Sequence, residues 1–427
     1  MGSWALAVIA AIVLVYAGLS RGLDRTPITA AIFFLTSGVV FGSKGLGWID
    51  VAARSSDLRV LAEVTLTLVL FADASRIDFP ALRKEYSLPL RLLGVGLPLT
   101  ILAGWAVGAG LFSSLNVGEL LILAVILAPT DAALGQSVVT DPRLPSRIRQ
   151  GLNVESGLND GICVPLLLIA LAVAQAEIGS ESTEHAVRLV VEAIGYGVLL
   201  GAVAGLVGAV SLLLAQRHGL AGDSGRKVLA VATAALAYGL AAPPGGSGFI
   251  AAFVAGFAFG HVDRRSELGA TELVGELGEL SNAATFILFG AAFVGPVLAG
   301  LTWSTAVYGL LSLTAIRMIP VWISLVGSKA KPPTVAFLGW FGPRGLASIV
   351  FTVIVLDEGS VPHFSTITVA VVFTIVVSVY AHGLSAHPLT SRYVRWFDAR
   401  PSDRHLPMES VHAAPQRWRR PWHVQWH

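Results

Sequence analysis

Three carboxylates, Asp131, Glu155 and Asp160, fall inside long apolar runs. The first follows Ala128-Pro129-Thr130. The other two belong to Glu155-Ser156-Gly157-Leu158-Asn159-Asp160. Acids and a helix-breaking proline are expensive in lipid, and an ionisable residue at that depth marks an ion pathway by default. Ser156 and Asp160 are four residues apart, so they share a helix face. A hydroxyl one turn from a carboxylate makes two arms of an oxygen cage, and hard cations such as Na⁺ take oxygen ligands. Backbone carbonyls freed near Thr130 could add more. Asp160 lies ~12 Å along its apolar run, by the 1.5 Å rise per residue. No basic residue nearby in sequence is obliged to pair with it. Na⁺ and H⁺ then compete for one carboxylate. That competition couples the two fluxes, provided the empty, unprotonated site rarely crosses the membrane.

The other two acids have different prospects. Asp131 begins the second half of a broken helix, where an acid offsets the positive end of the dipole, and it could also touch the ion. A second break, Gly342-Pro343-Arg344-Gly345, carries a cation that could offset the negative end of the helix before it. Glu155 and Arg344 are the natural buried pair, since either alone would be costly at this depth.

The elements that hold these residues follow from composition. The chain has 427 residues, 54% hydrophobic and 13% charged, against about 25% charged in soluble domains. The expected fold class is an all-α polytopic membrane protein. A span needs about 20 mostly apolar residues. Thirteen candidates run from Trp4–Leu19 to Thr366–Leu384, the fifth being Val117–Val138, the sixth Leu152–Gln175 and the twelfth Thr334–Leu356. With the N-terminus outside, the cytoplasmic loops hold sixteen Lys or Arg residues and the tail seven, whereas the external loops hold only Lys44 and Arg54. That asymmetry predicts an N-out, C-in topology. The breaks in spans five and twelve are seven spans apart and therefore antiparallel, as in transporters built from inverted repeats. Spans one to six would then repeat as eight to thirteen. Span seven carries Gly197, Gly201 and Gly205 on one face, which suits close helix packing. Cys163 is the single cysteine, so no intrachain disulfide forms. The first run lacks a basic leader and reads as a retained span.

Taken together, Leu70-Phe71-Ala72-Asp73-Ala74-Ser75-Arg76-Ile77-Asp78, Ala128-Pro129-Thr130-Asp131, Glu155-Ser156-Gly157-Leu158-Asn159-Asp160-Gly161 and Gly342-Pro343-Arg344-Gly345 resemble NhaP-like sodium/proton antiporters of the cation:proton antiporter superfamily. The resemblance covers nearly the whole apolar region. It implies a thirteen-helix fold with crossed, unwound helices five and twelve. It implies a mobile core, about residues 89–175 and 302–386, moving against a dimerisation part at about 4–77 and 187–299. The basic segment 389–427 would be a cytoplasmic tail. The resemblance makes Asp160 the main ion- and proton-binding residue, with Ser156, Asp131 and the Thr130 carbonyl alongside. It assigns Glu155 and Arg344 to an internal ion pair. Asn159 before Asp160 matches electroneutral, one-for-one exchangers, whereas electrogenic relatives carry two adjacent aspartates. The family often has a glutamate where this chain has Ala72. The acid here is Asp73, one residue later, which either reaches the ion or serves as an interfacial acid near Arg76.

Other features carry weaker signals. Arg317 lies deep enough to need a carbonyl or carboxylate partner. Glu272, Glu276 and Glu279 form either a cation-attracting funnel or a solvated acidic face. His382 is either a pH sensor or a packing histidine. The tail arginines with Trp396, Trp418, Trp422 and Trp426 suit an anionic membrane surface or a solvated tail. The expected activity is electroneutral exchange of Na⁺, with Li⁺ as a further candidate cation, for H⁺ in the plasma membrane. K⁺/H⁺ exchange is the nearest alternative, ahead of an intramembrane aspartyl protease, whose Gly-x-Gly-Asp context is absent, and an ion channel. No cofactor and no nucleic-acid partner are expected. The partners are monovalent cations, protons, the lipid bilayer and a second copy in a homodimer.

Overall fold

The computed structural model describes residues 3–23, 26–77, 86–179, 183–266, 268–358, 361–399 and 408–409. Asp78 and most of the basic tail, including Trp418, Trp422 and Trp426, lie outside these residues. Among the described residues the structure is helical, apart from an isolated bridge between Gly42 and Ile49. Lipid offers no partner for backbone polar groups, so apolar runs satisfy them internally as helices.

The helices are α1 (Ser3–Leu23), α2 (Ala30–Phe41), α3 (Ser56–Arg76) and α4 (Ser87–Leu111), the last with a π-helical stretch at Leu92–Gly96. There follow α5 (Val117–Ile126), the single turn α6 (Gln136–Val139) and α7 (Ser146–Glu177). Then come α8 (Thr183–Arg217), α9 (Asp223–Ala241), α10 (Gly248–Ser266) and α11 (Glu272–Val297). The chain closes with α12 (Trp303–Ser324), α13 (Pro332–Trp340), α14 (Leu346–Glu358) and α15 (Phe364–Asp398). Seven of these helices are long and apolar enough to cross a bilayer, and α2, α5 and most of α14 are shorter apolar helices.

Local chemistry sets the ends. Thr29 caps α2 and Ser55 caps α3 by accepting backbone N–H bonds, and Asn116 with Glu119 forms a capping box at α5. The predicted fifth span is interrupted from Leu127 to Gly135, and the twelfth from Phe341 to Gly345. After the first break only one short helical turn forms, and Asp131 turns its carboxylate onto the backbone N–H groups of Ala133 and Leu134. The last helix runs to Asp398, well beyond the expected end at Leu384. Tyr393 and Val394 explain this, since they are buried in an apolar cluster with Phe337 of α13 and with Phe341 just after it.

The glycine face of α8 packs on α10 with no room for side chains. A Cβ on Gly201 would lie 2.5 Å from the Ala251 carbonyl oxygen, and one on Gly205 2.8 Å from the Ala255 Cα. On α10, Gly256 and Gly260 press against the α3 backbone at Phe71 and Ser75 in the same way. Helix α3 therefore lies against α10 and also touches α7 and α14.

Candidate ion-binding site

The two breaks cross, and each completes the other. Pro129 has no N–H and disfavours a helical Ala128, so α5 ends with open carbonyls. The Arg344 guanidinium supplies donors from the opposite break: Nη1 reaches the carbonyl of Ala128 at 2.7 Å and of Pro129 at 3.0 Å. Ser348 Oγ donates to the Ile126 carbonyl at 2.7 Å. In return, the Asp131 N–H donates to the Pro343 carbonyl at 2.8 Å. Asp131 Oδ2 accepts the N–H of Leu346, the first residue of α14, at 2.8 Å, and Oδ1 accepts Ala133 N–H at 2.7 Å. One carboxylate thus faces the start of α14 and its own following turn, while one guanidinium faces the end of α5. Each charge sits where the helix dipole favours it.

Arg344 differs from expectation in two ways. It serves the C-terminal end of α5, not the first half of the twelfth span, because the crossing brings the α5 carbonyls to it. It is also not the ion-pair partner of Glu155. Glu155 Oε1 lies 2.5 Å from Nη1 of Arg317, with both side chains 2% exposed. The reason is local. Helix α12 kinks at Thr314 (φ −115°, ψ −96°), three residues before Arg317. Gly342 leaves space for the guanidinium, since a Cβ there would stand 2.5 Å from Arg317 Nε. The depth of Arg317 signalled a partner; its direction was not readable.

Beside this crossing, Thr130 Oγ1 and Ser156 Oγ are 3.0 Å apart, and Asn159 Nδ2 donates to Thr130 Oγ1 at 2.7 Å. Helix α7 presents Ser156 and, one turn on, Asp160, which is 6% exposed. Thr130, Ser156 and Asn159 are therefore in direct contact, and Asp160 follows on the Ser156 face. Two hydroxyls and a carboxylate make an oxygen-rich group suited to a hard cation or a proton. No grouping of three His, Cys, Asp or Glu side chains suited to a resident metal occurs among the described residues.

Asp73 sits against α7: a Cβ on Gly157 would be 3.6 Å from the Asp73 Cβ. Its Oδ1 accepts from Arg76 Nη1 at 3.1 Å. Asp73 and Arg76 line a small cavity with Ala132, Asn153 and Gly157. A larger cavity of about 380 Å³ reaches the end of the first break and α6 from the side of α2 and α11. Its lining includes Ala133, Gln136, Ser137, Thr140, Glu279 and Asn282. Of the three clustered glutamates, Glu279 faces this cavity. Outside the apolar spans, the turn feeding α7 is pinned by Asp141. Its carboxylate takes Arg143 Nη2 at 2.6 Å, and that hydrogen bond holds the carboxyl below the usual range.

Crossed broken helices around buried carboxylates define the class: an all-helical, multi-pass membrane transporter fold. The sequence matches the family profile described as "Sodium/hydrogen exchanger, transmembrane" over residues 8–392, and the chain belongs to that family. It is 24% identical over 369 residues to a K⁺/H⁺ antiporter NhaP2 of Shewanella oneidensis, covering 86% of this chain and 63% of that protein. It is 24% identical over 390 residues to a K⁺/H⁺ antiporter NhaP of Alkalimonas amylolytica, covering 89% and 65%. The chain thus spans less than two thirds of the length of these relatives. An Na⁺/H⁺ antiporter of Schizosaccharomyces pombe is 26% identical over 394 residues, covering 84% of each chain. Among solved structures, the sodium proton antiporter MjNhaP1 of Methanocaldococcus jannaschii superposes with a TM-score of 0.74 at 18% identity. The match covers 91% of this chain and 98% of that one.

Proposed function

We propose that this protein is a secondary active transporter of the plasma membrane that exchanges Na⁺ for H⁺ with no net charge moved. The observation that carries the reading is the contact of the Thr130 and Ser156 hydroxyls one helical turn from buried Asp160, beside the crossed breaks. Asp160 carries either the proton or the cation. Ser156, Thr130 and Asp131 supply further oxygens, and Asp73 reaches the same region from α3. Asn159 holds Thr130 in place and carries no second proton, which keeps the exchange one for one. Glu155 with Arg317, and Arg344 on the α5 carbonyls, hold the breaks. The architecture in this reading is thirteen crossings, N-out and C-in, in two inverted six-helix repeats. A core of residues 89–175 and 302–386 moves against a dimerising part, and no cofactor takes part.

K⁺/H⁺ exchange is the second reading, favoured by the K⁺/H⁺ antiporters among the relatives. Full-length protein in sealed vesicles with an imposed pH gradient decides between them. Na⁺ should dissipate the gradient in wild type and not in Asp160→Asn. Dissipation by K⁺ and not Na⁺ transfers the assignment to K⁺. Undiminished exchange by Asp160→Asn removes Asp160 from the mechanism. A reversal point that shifts when the membrane potential is clamped removes electroneutrality.

A further inference from the structure

Helix α15 passes alongside the break between α13 and α14, and two of its side chains, one turn apart, touch both ends of that break. Ser378 Oγ accepts the Arg344 N–H at 2.7 Å. His382 Nε2 lies 2.9 Å from the carbonyl oxygen of Trp340, the last residue of α13. The other ring nitrogen, Nδ1, is 3.2 Å from Ser378 Oγ and 2.9 Å from the Ser378 carbonyl oxygen. The imidazole lies beside the Trp340 indole, with ring centroids 5.0 Å apart, and is 2% exposed.

Hydrogen-bond arithmetic restricts the ring. The Trp340 carbonyl can only accept, so Nε2 carries a hydrogen. Nδ1 then has two options. It carries a proton as well and donates to the Ser378 carbonyl, or it is bare and accepts the Ser378 hydroxyl hydrogen. The first adds a third positive charge next to the Arg344 and Arg317 guanidinium groups, in a site that excludes water. Unpaired buried charge of that kind is strongly disfavoured. The second leaves no hydrogen between Nδ1 and the Ser378 carbonyl, a smaller cost than an unpaired buried charge, and it closes a chain in which every donor has an acceptor. Arg344 N–H donates to Ser378 Oγ, Ser378 O–H to His382 Nδ1, and His382 Nε2–H to the Trp340 carbonyl.

We propose that Ser378 and neutral, Nε2-protonated His382 are positioning residues for cation exchange, stitching the two ends of the α13–α14 break together. The stitch fixes the backbone of Arg344. The Arg344 guanidinium in turn holds the Ala128 and Pro129 carbonyls, the two residues before Thr130. Loosening the stitch displaces Thr130 relative to Ser156 and Asp160. The inference rests on the exchange reading above and gives His382 a task that requires no change in its charge.

The test uses full-length protein in vesicles, with exchange rates measured against cation concentration and normalised to folded protein. His382→Gln keeps an N–H for Trp340 and an oxygen acceptor for Ser378. Its apparent KM for Na⁺ should stay within about two-fold of wild type, with an unchanged pH profile. His382→Phe keeps a ring without the nitrogens and should raise the KM by about ten-fold, the scale of one lost buried hydrogen bond. Ser378→Ala should behave like His382→Phe, and Ser378→Thr like wild type. The Ser378 pair decides the matter if the phenylalanine variant does not fold. A purely structural role would lower the yield of folded protein and leave its KM alone, which would overturn the proposal. So would His382→Gln behaving like His382→Phe, or shifting the pH profile. If wild type exchanges K⁺ and not Na⁺, the cation assignment falls and the same variants are read with K⁺. A wild type that exchanges neither refutes both.

Discussion

Removing Glu155 should be far worse than removing Glu155 and Arg317 together. The two side chains meet at 2.5 Å and are almost wholly buried. Glu155 Oε2 and the Arg317 Nε and Nη2 atoms have no further hydrogen-bond partners. The attraction of the pair therefore offsets a desolvation that little else relieves. Breaking such a pair from one side costs about 3–5 kcal/mol, whereas replacing both partners with apolar groups of similar size is often close to neutral. The variants are Glu155→Leu, Arg317→Met and the double change, with Arg344→Met as the comparison. Melting midpoints of purified protein in one detergent, at one heating rate, give the order; unfolding of this kind is kinetic, so only differences are compared. Each single change at Glu155 or Arg317 should lower the midpoint markedly, and the double variant should lie closer to wild type than either. Glu155→Leu with Arg344→Met should instead be nearly additive, because Arg344 spends its contacts on the α5 carbonyls. Additivity with Arg317 and strong coupling with Arg344 would refute the assignment of the pair.

Gly345→Ala should abolish exchange, because the added methyl would strike the Asp131 carboxylate; rates in vesicles check this against the amount of folded protein. Asn159→Asp removes the N–H that Thr130 Oγ1 accepts, so the apparent KM for Na⁺ should rise by several-fold, roughly as one buried hydrogen bond is lost. Gly201→Val forces α8 away from the Ala251 backbone. It should destabilise by about 1–3 kcal/mol, seen as a lower melting midpoint, with the KM of the surviving protein unchanged.

Much of this site was legible because lipid makes polar groups conspicuous. Asp131, Ser156, Asn159 and Asp160 stand out in apolar runs, and proline and glycine mark both breaks. The Gly197, Gly201 and Gly205 spacing gave the close face of α8, since period alone decides which residues align. Directions across the molecule were harder. Glu155 had two deep arginines to choose from, and only the kink at Thr314 and the space at Gly342 turn Arg317 toward it. Arg344 marks the second break, but the helix end it serves is not readable locally, because its partners come from a break more than two hundred residues earlier. Beyond Leu384 the course of α15 is hidden in the sequence, because its buried face there is built from residues spaced for packing on α13, among polar ones. His382 is conspicuous as a histidine in an apolar run, but nothing local points to its contacts or to Ser378; their role depends on which carbonyl and which amide the break leaves open.

The central claim is that one carboxylate, Asp160, serves both ions in turn. The measurement that tests it most directly is the Na⁺ concentration for half-maximal exchange in vesicles, taken at a series of pH values. Competition requires that this concentration rise toward a limit of about ten-fold per pH unit as the carboxyl becomes protonated, while saturating Na⁺ recovers the rate. A half-maximal concentration that does not change with pH, with a rate that saturating Na⁺ cannot restore, would contradict it.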